Sequence, residues 1–149
     1  MLRIRNNKEK VKKFTPPFTA CKVEASPPLP LLLIVDDDMQ ILRVCRRLLK
    51  NMFCIETASN AYDASVLLSK YRFEAILTDF DMPGEDGLRL LRRVRRTHPL
   101  IRRVLFSGSS PEELSESILS GLVHAFVPKP AGREELVAAL RWNSANSLN

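Results

Sequence analysis

At 149 residues, with 45% hydrophobic and 27% charged residues, the chain has the size and balance of one globular domain able to bury its own core. Nothing in it approaches the roughly 18 consecutive apolar residues of a membrane span. No apolar segment follows the basic N-terminus, so neither a span nor a secretory signal is expected. Cys21, Cys45 and Cys54 are odd in number and lack metal-ligand spacing, and reduced thiols in a cytoplasm are expected. The net charge of +6 is uneven. Residues 1–28 hold seven Lys/Arg against two Asp/Glu, a net +5, and residues 29–149 only +1. The basic excess therefore belongs to an N-terminal tail. Such a tail is a solvated leader or a contact for nucleic acid, anionic lipid or an acidic partner.

Residues 1–28 carry Lys8, Lys10, Lys12 and Lys13, then Pro16-Pro17 and Pro27-Pro28. That composition buries little and predicts a mobile segment. From Leu29 the pattern changes. Leu31–Val35 is a continuous apolar run ended by Asp36-Asp37-Asp38, as in a strand covered on both faces of a parallel sheet. A helical stripe follows at Ile41, Val44, Cys45, Leu48 and Leu49. Phe53–Thr57 reads as a weaker strand. Asn60 then caps a helix with the stripe Ala64, Leu67, Leu68 and Tyr71.

The third apolar run, Ala75–Thr78, stops at Asp79, and Pro83-Gly84 marks a tight turn. A helix is predicted from about Gly87 to Arg96. Ile101–Phe106 is the next strand, ending at Ser107-Gly108. Ser110-Pro111-Glu112-Glu113 has the pattern of a helix start, with Ser as N-cap, Pro at N1 and Glu at N3. Ala125–Val127 is a fifth strand, ending near Pro128-Lys129-Pro130, and 133–142 is the last helix. The Asn/Ser-rich end, 143–149, is polar and expected to fray.

Five strands alternating with five helices predict an α/β fold: a parallel sheet with helices on both faces. In the flavodoxin-like strand order 2-1-3-4-5, ligands bind beyond the carboxyl ends of the strands, where strands one and three adjoin. Asp36 and Asp37 end strand one, Asp79 strand three, Ser107 strand four and Lys129 strand five. An acidic cluster, a hydroxyl and an ammonium thus converge on one sheet edge. Carboxylates at ~4 Å and an effective dielectric of about 20 repel by on the order of 4 kcal/mol per pair, so one protonates or a cation joins them. Hard oxygens with open positions suit Mg²⁺. Lys129 can pair with Asp79 or with a phosphoryl oxygen, and Ser107 can donate to another oxygen. Such a group suits phosphoryl transfer, with Asp79 as the nucleophile that forms an acyl phosphate.

Val35-Asp36-Asp37-Asp38, Leu77 to Gly87, Phe106-Ser107-Gly108 and Phe126-Val127-Pro128-Lys129-Pro130 resemble the receiver domain of two-component response regulators. The resemblance covers about residues 29–142. It implies that Asp79 is phosphorylated from a phosphohistidine on a sensor histidine kinase or phosphotransfer protein, with Mg²⁺ required. It makes Asp36 and Asp37 the acidic pair, with Asp37 preferred as the direct metal ligand. The Asp81 backbone carbonyl becomes a further ligand, beside Asp79. Ser107 becomes the switch hydroxyl, Lys129 the family's lysine, and Phe126 the aromatic switch. It further implies a downstream partner, or a second receiver in a homodimer, on the face made by the fourth helix, fifth strand and fifth helix. At 107 Ser replaces the commoner Thr, and at 126 Phe replaces Tyr. No DNA-binding or enzymatic output segment is legible after residue 142, so the expectation is a stand-alone receiver that is a phospho-acceptor switch, not a turnover enzyme.

Two rival readings share part of this pattern. Asp79-x-Asp81 also resembles the nucleophile motif of haloacid-dehalogenase-type phosphatases. There the acidic pair comes late in the chain, whereas here it comes first, and the Thr expected two past Asp81 is Pro83. A phosphorylation-independent module on the same fold need not keep the acidic pair, acceptor and lysine together. Among the remaining signals, Arg89, Arg92, Arg93, Arg95, Arg96, Arg102 and Arg103 read as a solvated face or a docking surface for an acidic partner. His98 and His124 read as surface residues, and Trp142 as a packing residue. Asp38 reads as the cap of the first helix.

Overall fold

The structure, a computed structural model, describes residues 28–141. The elements are β1 (Leu31–Val35), α1 (Met39–Leu49), β2 (Cys54–Ala58), α2 (Ala61–Lys70), β3 (Ala75–Thr78), α3 (Gly87–Thr97), β4 (Arg102–Ser107), α4 (Leu114–Leu119), β5 (Ala125–Pro128) and α5 (Arg133–Leu140). All strands are parallel, in the order β2-β1-β3-β4-β5, the flavodoxin-like arrangement expected. The expectations for the basic tail, Trp142 and the polar end fall outside the described residues.

Alternation along the central strands builds two cores. Leu33, Val35, Ile76 and Leu105 point to one face and pack under α2, α3 and α4 with Ala64, Leu68, Leu88, Leu91 and Leu114. Leu32, Ile34, Leu77, Val104 and Phe106 point to the other and pack under α1 and α5 with Leu42, Cys45, Leu136 and Leu140. Side chains that alternate in a strand sheathed on both faces must be apolar at every position, which is why the runs are continuous. Asp38, Asn60 and Asp86 cap α1, α2 and α3, accepting from the backbone N–H groups of Gln40, Asp63 and Arg89.

Four expectations need correction. In α1 the buried stripe is Leu42, Cys45 and Leu49, while Val44 is 44% exposed. Apolar residues cover so much of this helix that spacing alone fits two stripes. Helix α4 starts only at Leu114: the Leu114 N–H donates to the Pro111 carbonyl at 3.0 Å, closing a turn, and no side chain caps the helix. The Ser-Pro-Glu-Glu pattern is spent on that turn. Cys45 is a free, buried thiol, pushed up to about 11 by burial and then by the charge of Asp36, whereas Cys54 is disulfide-bonded.

The fourth concerns the basic run and His124. Arg103 is 4% exposed, and its guanidinium donates to the carbonyls of Leu122, Pro99, Ile101 and Gly121. Arg93 pairs with Glu85 at 2.7 Å and donates to Ser65 Oγ, and Arg102 Nε donates to the Ala139 carbonyl. These three are internal ties, while Arg89, Arg92, Arg95 and Arg96 are exposed. His124 is half-buried, and its Nδ1 accepts from the Arg103 N–H at 2.9 Å.

Two predictions follow from this packing. A Cβ on Gly87 would sit 2.0 Å from the Asp79 carbonyl oxygen, and that neighbour is backbone. Gly87→Ala is therefore expected to cost ~1–3 kcal/mol or more, read as a lower urea midpoint at unchanged m. Burial, then the charges of Arg103 and Arg102, push the His124 imidazole down from 6.5 to about 4. The unfolded chain thus binds a proton between those values that the folded chain refuses. Stability from neutral His124 is present above the unfolded value and is lost as pH falls through this window. Asp79 and Glu56 are shifted upward and act with the opposite sign. The informative quantity is therefore the difference between wild type and His124→Asn, whose midpoint should fall less between about pH 7 and 4.5.

Candidate functional site

Each chemical group of the site is delivered by the carboxyl end of a strand. After β1 the chain continues in register for one residue, the Asp36 N–H donating to the Ala58 carbonyl of β2. After β3 the Asp79 N–H donates to the Val35 carbonyl at 2.9 Å, and Thr78 Oγ1 donates to the Asp79 carbonyl at 3.0 Å. Asp79 is thereby fixed beside Asp36 before its side chain makes any contact. Asp36 and Asp79 are buried and Asp37 is exposed. Carboxylate oxygens of the three residues lie within 4.8 Å of one another, the one such group among the described residues. Pro83-Gly84 makes the expected turn, with Gly84 at φ +86, a conformation that favours glycine.

Lys129, at the end of β5, holds this cluster together. Its Nζ donates to Asp36 Oδ2 at 2.6 Å and lies 3.3 Å from Asp79 Oδ1. It also stands 5.3 Å from the centroid of the Phe106 ring. Its backbone N–H donates to the Ser107 carbonyl at 2.9 Å, tying β5 to β4 at the mouth of the site. Ser107 is buried, and its Oγ accepts from the Ser109 N–H at 3.3 Å. Ser109 Oγ donates in turn to Asp81 Oδ2 at 2.6 Å. Phe126 is half-buried and pairs in register with Leu105, against the core beneath α2, α3 and α4.

Burial raises the Asp79 carboxyl above its ordinary value; the Lys129 charge opposes this and the Asp36 charge adds to it. For Lys129, burial alone would lower the ammonium. The Asp36 hydrogen bond and the charges of Asp36 and Asp79 outweigh it, and the net shift is upward. Lys129 therefore stays a cation beside two carboxylates. One cation for three carboxylates leaves the cluster short of positive charge. Hard oxygen donors at this spacing fit a divalent cation such as Mg²⁺, with Asp37 as the exposed corner through which it would enter.

The structure thus brings together Asp36, Asp37, Asp79 and Lys129, and puts Ser107 and Phe126 on the adjoining strands. The expectation for Asp81 concerned its backbone carbonyl; its carboxylate is turned to Ser109. Sequence reasoning missed three contributors. Ser109 bridges to Asp81, Phe106 lies beneath the Lys129 ammonium, and Gly87 lets α3 approach the Asp79 carbonyl. Only Gly87 had a visible signal, since a glycine opening a helix marks a close approach.

The comparisons with known proteins agree with this geometry. The model of the response regulator receiver domain matches residues 32–141. The hydrogenase transcriptional regulatory protein HoxA of Bradyrhizobium diazoefficiens is 35% identical over 74% of this chain and 23% of its own length. Protein PetR of Rhodobacter capsulatus is 37% identical over 82% of this chain and 50% of its own. The chain thus spans half or less of these curated relatives. Among solved structures, the signal receiver domain of an HD-domain-containing protein from Pseudomonas fluorescens Pf-5 superimposes with a TM-score of 0.71. It is 29% identical and covers 76% of this chain and 92% of that one. With the family's fold, strand order and acidic cluster all present, the chain belongs to the response regulator receiver domains of two-component systems.

Proposed function

We propose that the protein accepts a phosphoryl group on Asp79 from a phosphohistidine of a sensor histidine kinase or phosphotransfer protein, and that this switches a protein-binding face. The observation that carries the reading is Lys129, 3.3 Å from Asp79 and 2.6 Å from Asp36, inside a cluster of three carboxylates. Receivers are phospho-acceptor switches, and the chemistry at Asp79 is a single transfer. A carboxylate oxygen attacks phosphorus, the phosphorus–nitrogen bond breaks, and the histidine leaves with its electron pair. The product is an acyl phosphate. Mg²⁺, held by Asp37, Asp79 and the Asp81 carbonyl with Asp36 beside it, would neutralise charge on the transferring oxygens. Lys129 then pairs with a phosphoryl oxygen, and the Ser107 hydroxyl donates to another. Asp36 keeps its bond to Lys129 and so orients the ammonium.

Drawing Ser107 inward vacates space beside β4, and Phe126 on β5 is the bulky group that can fill it. The phosphoryl group biases the equilibrium only by its extra contacts in the active state. The read-out face is α4, β5 and α5, where a partner or a second receiver binds. We take residues 29–142 as the unit that carries this activity and 1–28 as a tail it does not need. We take the reaction to occur in the cytoplasm. No helix among the described residues is long and apolar enough to cross a membrane.

With acetyl phosphate or phosphoramidate and Mg²⁺, purified protein should gain one phosphoryl group, read by intact mass, and Asp79→Asn none. Equal labelling of the variant would remove Asp79 from the role. The metal is tested separately. Asp37→Ala should weaken Mg²⁺ binding on the order of tenfold or more by calorimetry. Asp38→Ala should leave the metal alone and cost ~1 kcal/mol of stability, as a lost helix cap does. The reverse pattern would place the acidic pair one residue further on.

A further inference from the structure

Helix α4 is held very differently at its two ends. At the C-terminal end three successive carbonyls carry cationic donors. Arg95 Nη1 donates to Ser120 at 3.0 Å, Arg103 Nη2 to Gly121 at 3.0 Å, and Arg103 Nε to Leu122 at 2.8 Å. Arg103 reaches them from the amino end of β4, and its other nitrogen, Nη1, donates to Pro99 and Ile101 in the turn that follows α3. The Leu122 and Val123 N–H groups both donate to the Ser117 carbonyl, and Gly121 makes the reversal at φ +73. No carboxylate pairs with Arg103 in these contacts; apart from His124 Nε2, 3.4 Å from Nη2, its partners are carbonyls of the turns that follow α3 and α4. A buried guanidinium with such partners fixes backbone, because moving any one carbonyl leaves a buried donor unpaired.

At the N-terminal end no buried guanidinium of this kind is found among the described residues. Helix α4 has no side-chain cap. Leu114 packs into the core, and among the described residues the polar tie of this end to α3 is Arg92 Nη2 to Glu113 Oε2 at 3.4 Å, with side chains 53% and 64% exposed. Exposed pairs of this kind shift an equilibrium by on the order of two- to fivefold and no more. This weak end is the one joined to Ser107 through the loop 108–113.

We infer that Arg103 makes the C-terminal end of α4 a fixed pivot and that the Arg92–Glu113 pair is a releasable latch at the other end. Movement at Ser107 then swings α4 about Gly121-Leu122, with its start moving most, and does not translate the helix along the domain. This rests on the switch reading above, yet its structural claim concerns the resting protein alone. It also assigns a role to Arg103, a residue outside the phosphorylation site and at the opposite end of the sheet.

The test is amide hydrogen exchange of the full chain by NMR, without any phosphoryl donor. The Leu114 and Ser117 amides should exchange about tenfold faster than those of Leu122 and Val123. Arg92→Gln should speed Leu114 and Ser117 by roughly two- to fivefold and leave Leu122 and Val123 unchanged. The charge-swapped pair Arg92→Glu with Glu113→Arg should restore the wild-type rates. Arg103→Met should erase the contrast between the two ends; if it does not fold, Arg95→Gln should narrow it. Equal exchange at both ends of wild-type α4, or an Arg92→Gln effect spread over both, would overturn the pivot. Either failure leaves Asp79 labelling untouched, and a failure of labelling leaves these rates untouched, so the two proposals fall separately.

Discussion

The position of one ammonium group decides what this fold can do. Lys129 stands between Asp36 and Asp79, two buried carboxylates that would otherwise repel each other in a medium that screens poorly. Taken alone, burial disfavours all three charges. Together they are tolerable because each negative group has the same positive neighbour and because Asp36 also accepts from the Asp38 N–H at 2.9 Å. The arrangement neutralises only part of the negative charge. Three carboxylates and one lysine form a site with a standing attraction for another cation, and that incompleteness is the chemical basis of the site.

The parallel sheet makes this possible. Each strand runs in the same direction, so every carboxyl end opens on the same edge, and a residue just past a strand is presented there whatever its distance in sequence. Asp36 and Lys129 are 93 positions apart and 2.6 Å apart in space. The backbone ladder does the alignment: Val35 pairs with Thr78, and the Asp79 N–H extends that ladder by one bond. The apolar residues below, Leu32 to Val35 and Ile76 to Leu77, fix the register because slipping by one residue would send every side chain to the opposite core.

What was legible in the sequence was whatever depends on runs and on their ends. The strands and the site residues Asp36, Asp37, Asp79, Ser107 and Lys129 could be placed because continuous apolar runs stop where polar chemistry begins. Less legible was anything set by which side of a helix faces inward. In α1, Leu42 and Val44 are both apolar, and only contact with the sheet decides that Leu42 is buried. Least legible were side chains whose partners are backbone carbonyls. Arg103 sits in a run of basic residues that reads as a solvated face, yet four carbonyls surround its guanidinium. A carbonyl leaves no trace in sequence, so no pattern of residue types distinguishes a buried arginine of this kind from an exposed one. The same holds for His124, whose ring nitrogen is satisfied by a backbone N–H.

The two ends of the sheet therefore solve opposite electrostatic problems. At the carboxyl end, formal negative charge is in excess of the one lysine, so the end retains an attraction for a further cation. At the amino end, a formal positive charge is surrounded by dipoles, its hydrogen bonds are made, and nothing is left for a ligand to complete. Strand β4 joins the two, with Arg103 four residues from Ser107 and the buried Val104 to Phe106 between them. A close-packed strand of that length transmits position more readily than it stretches. On the switch proposed above, a change at Ser107 would be resisted by the anchored end and taken up where the chain is least tied, in the loop 108–113 and the uncapped start of α4. On this view the fold concentrates its responsiveness by making one end of a single strand rigid.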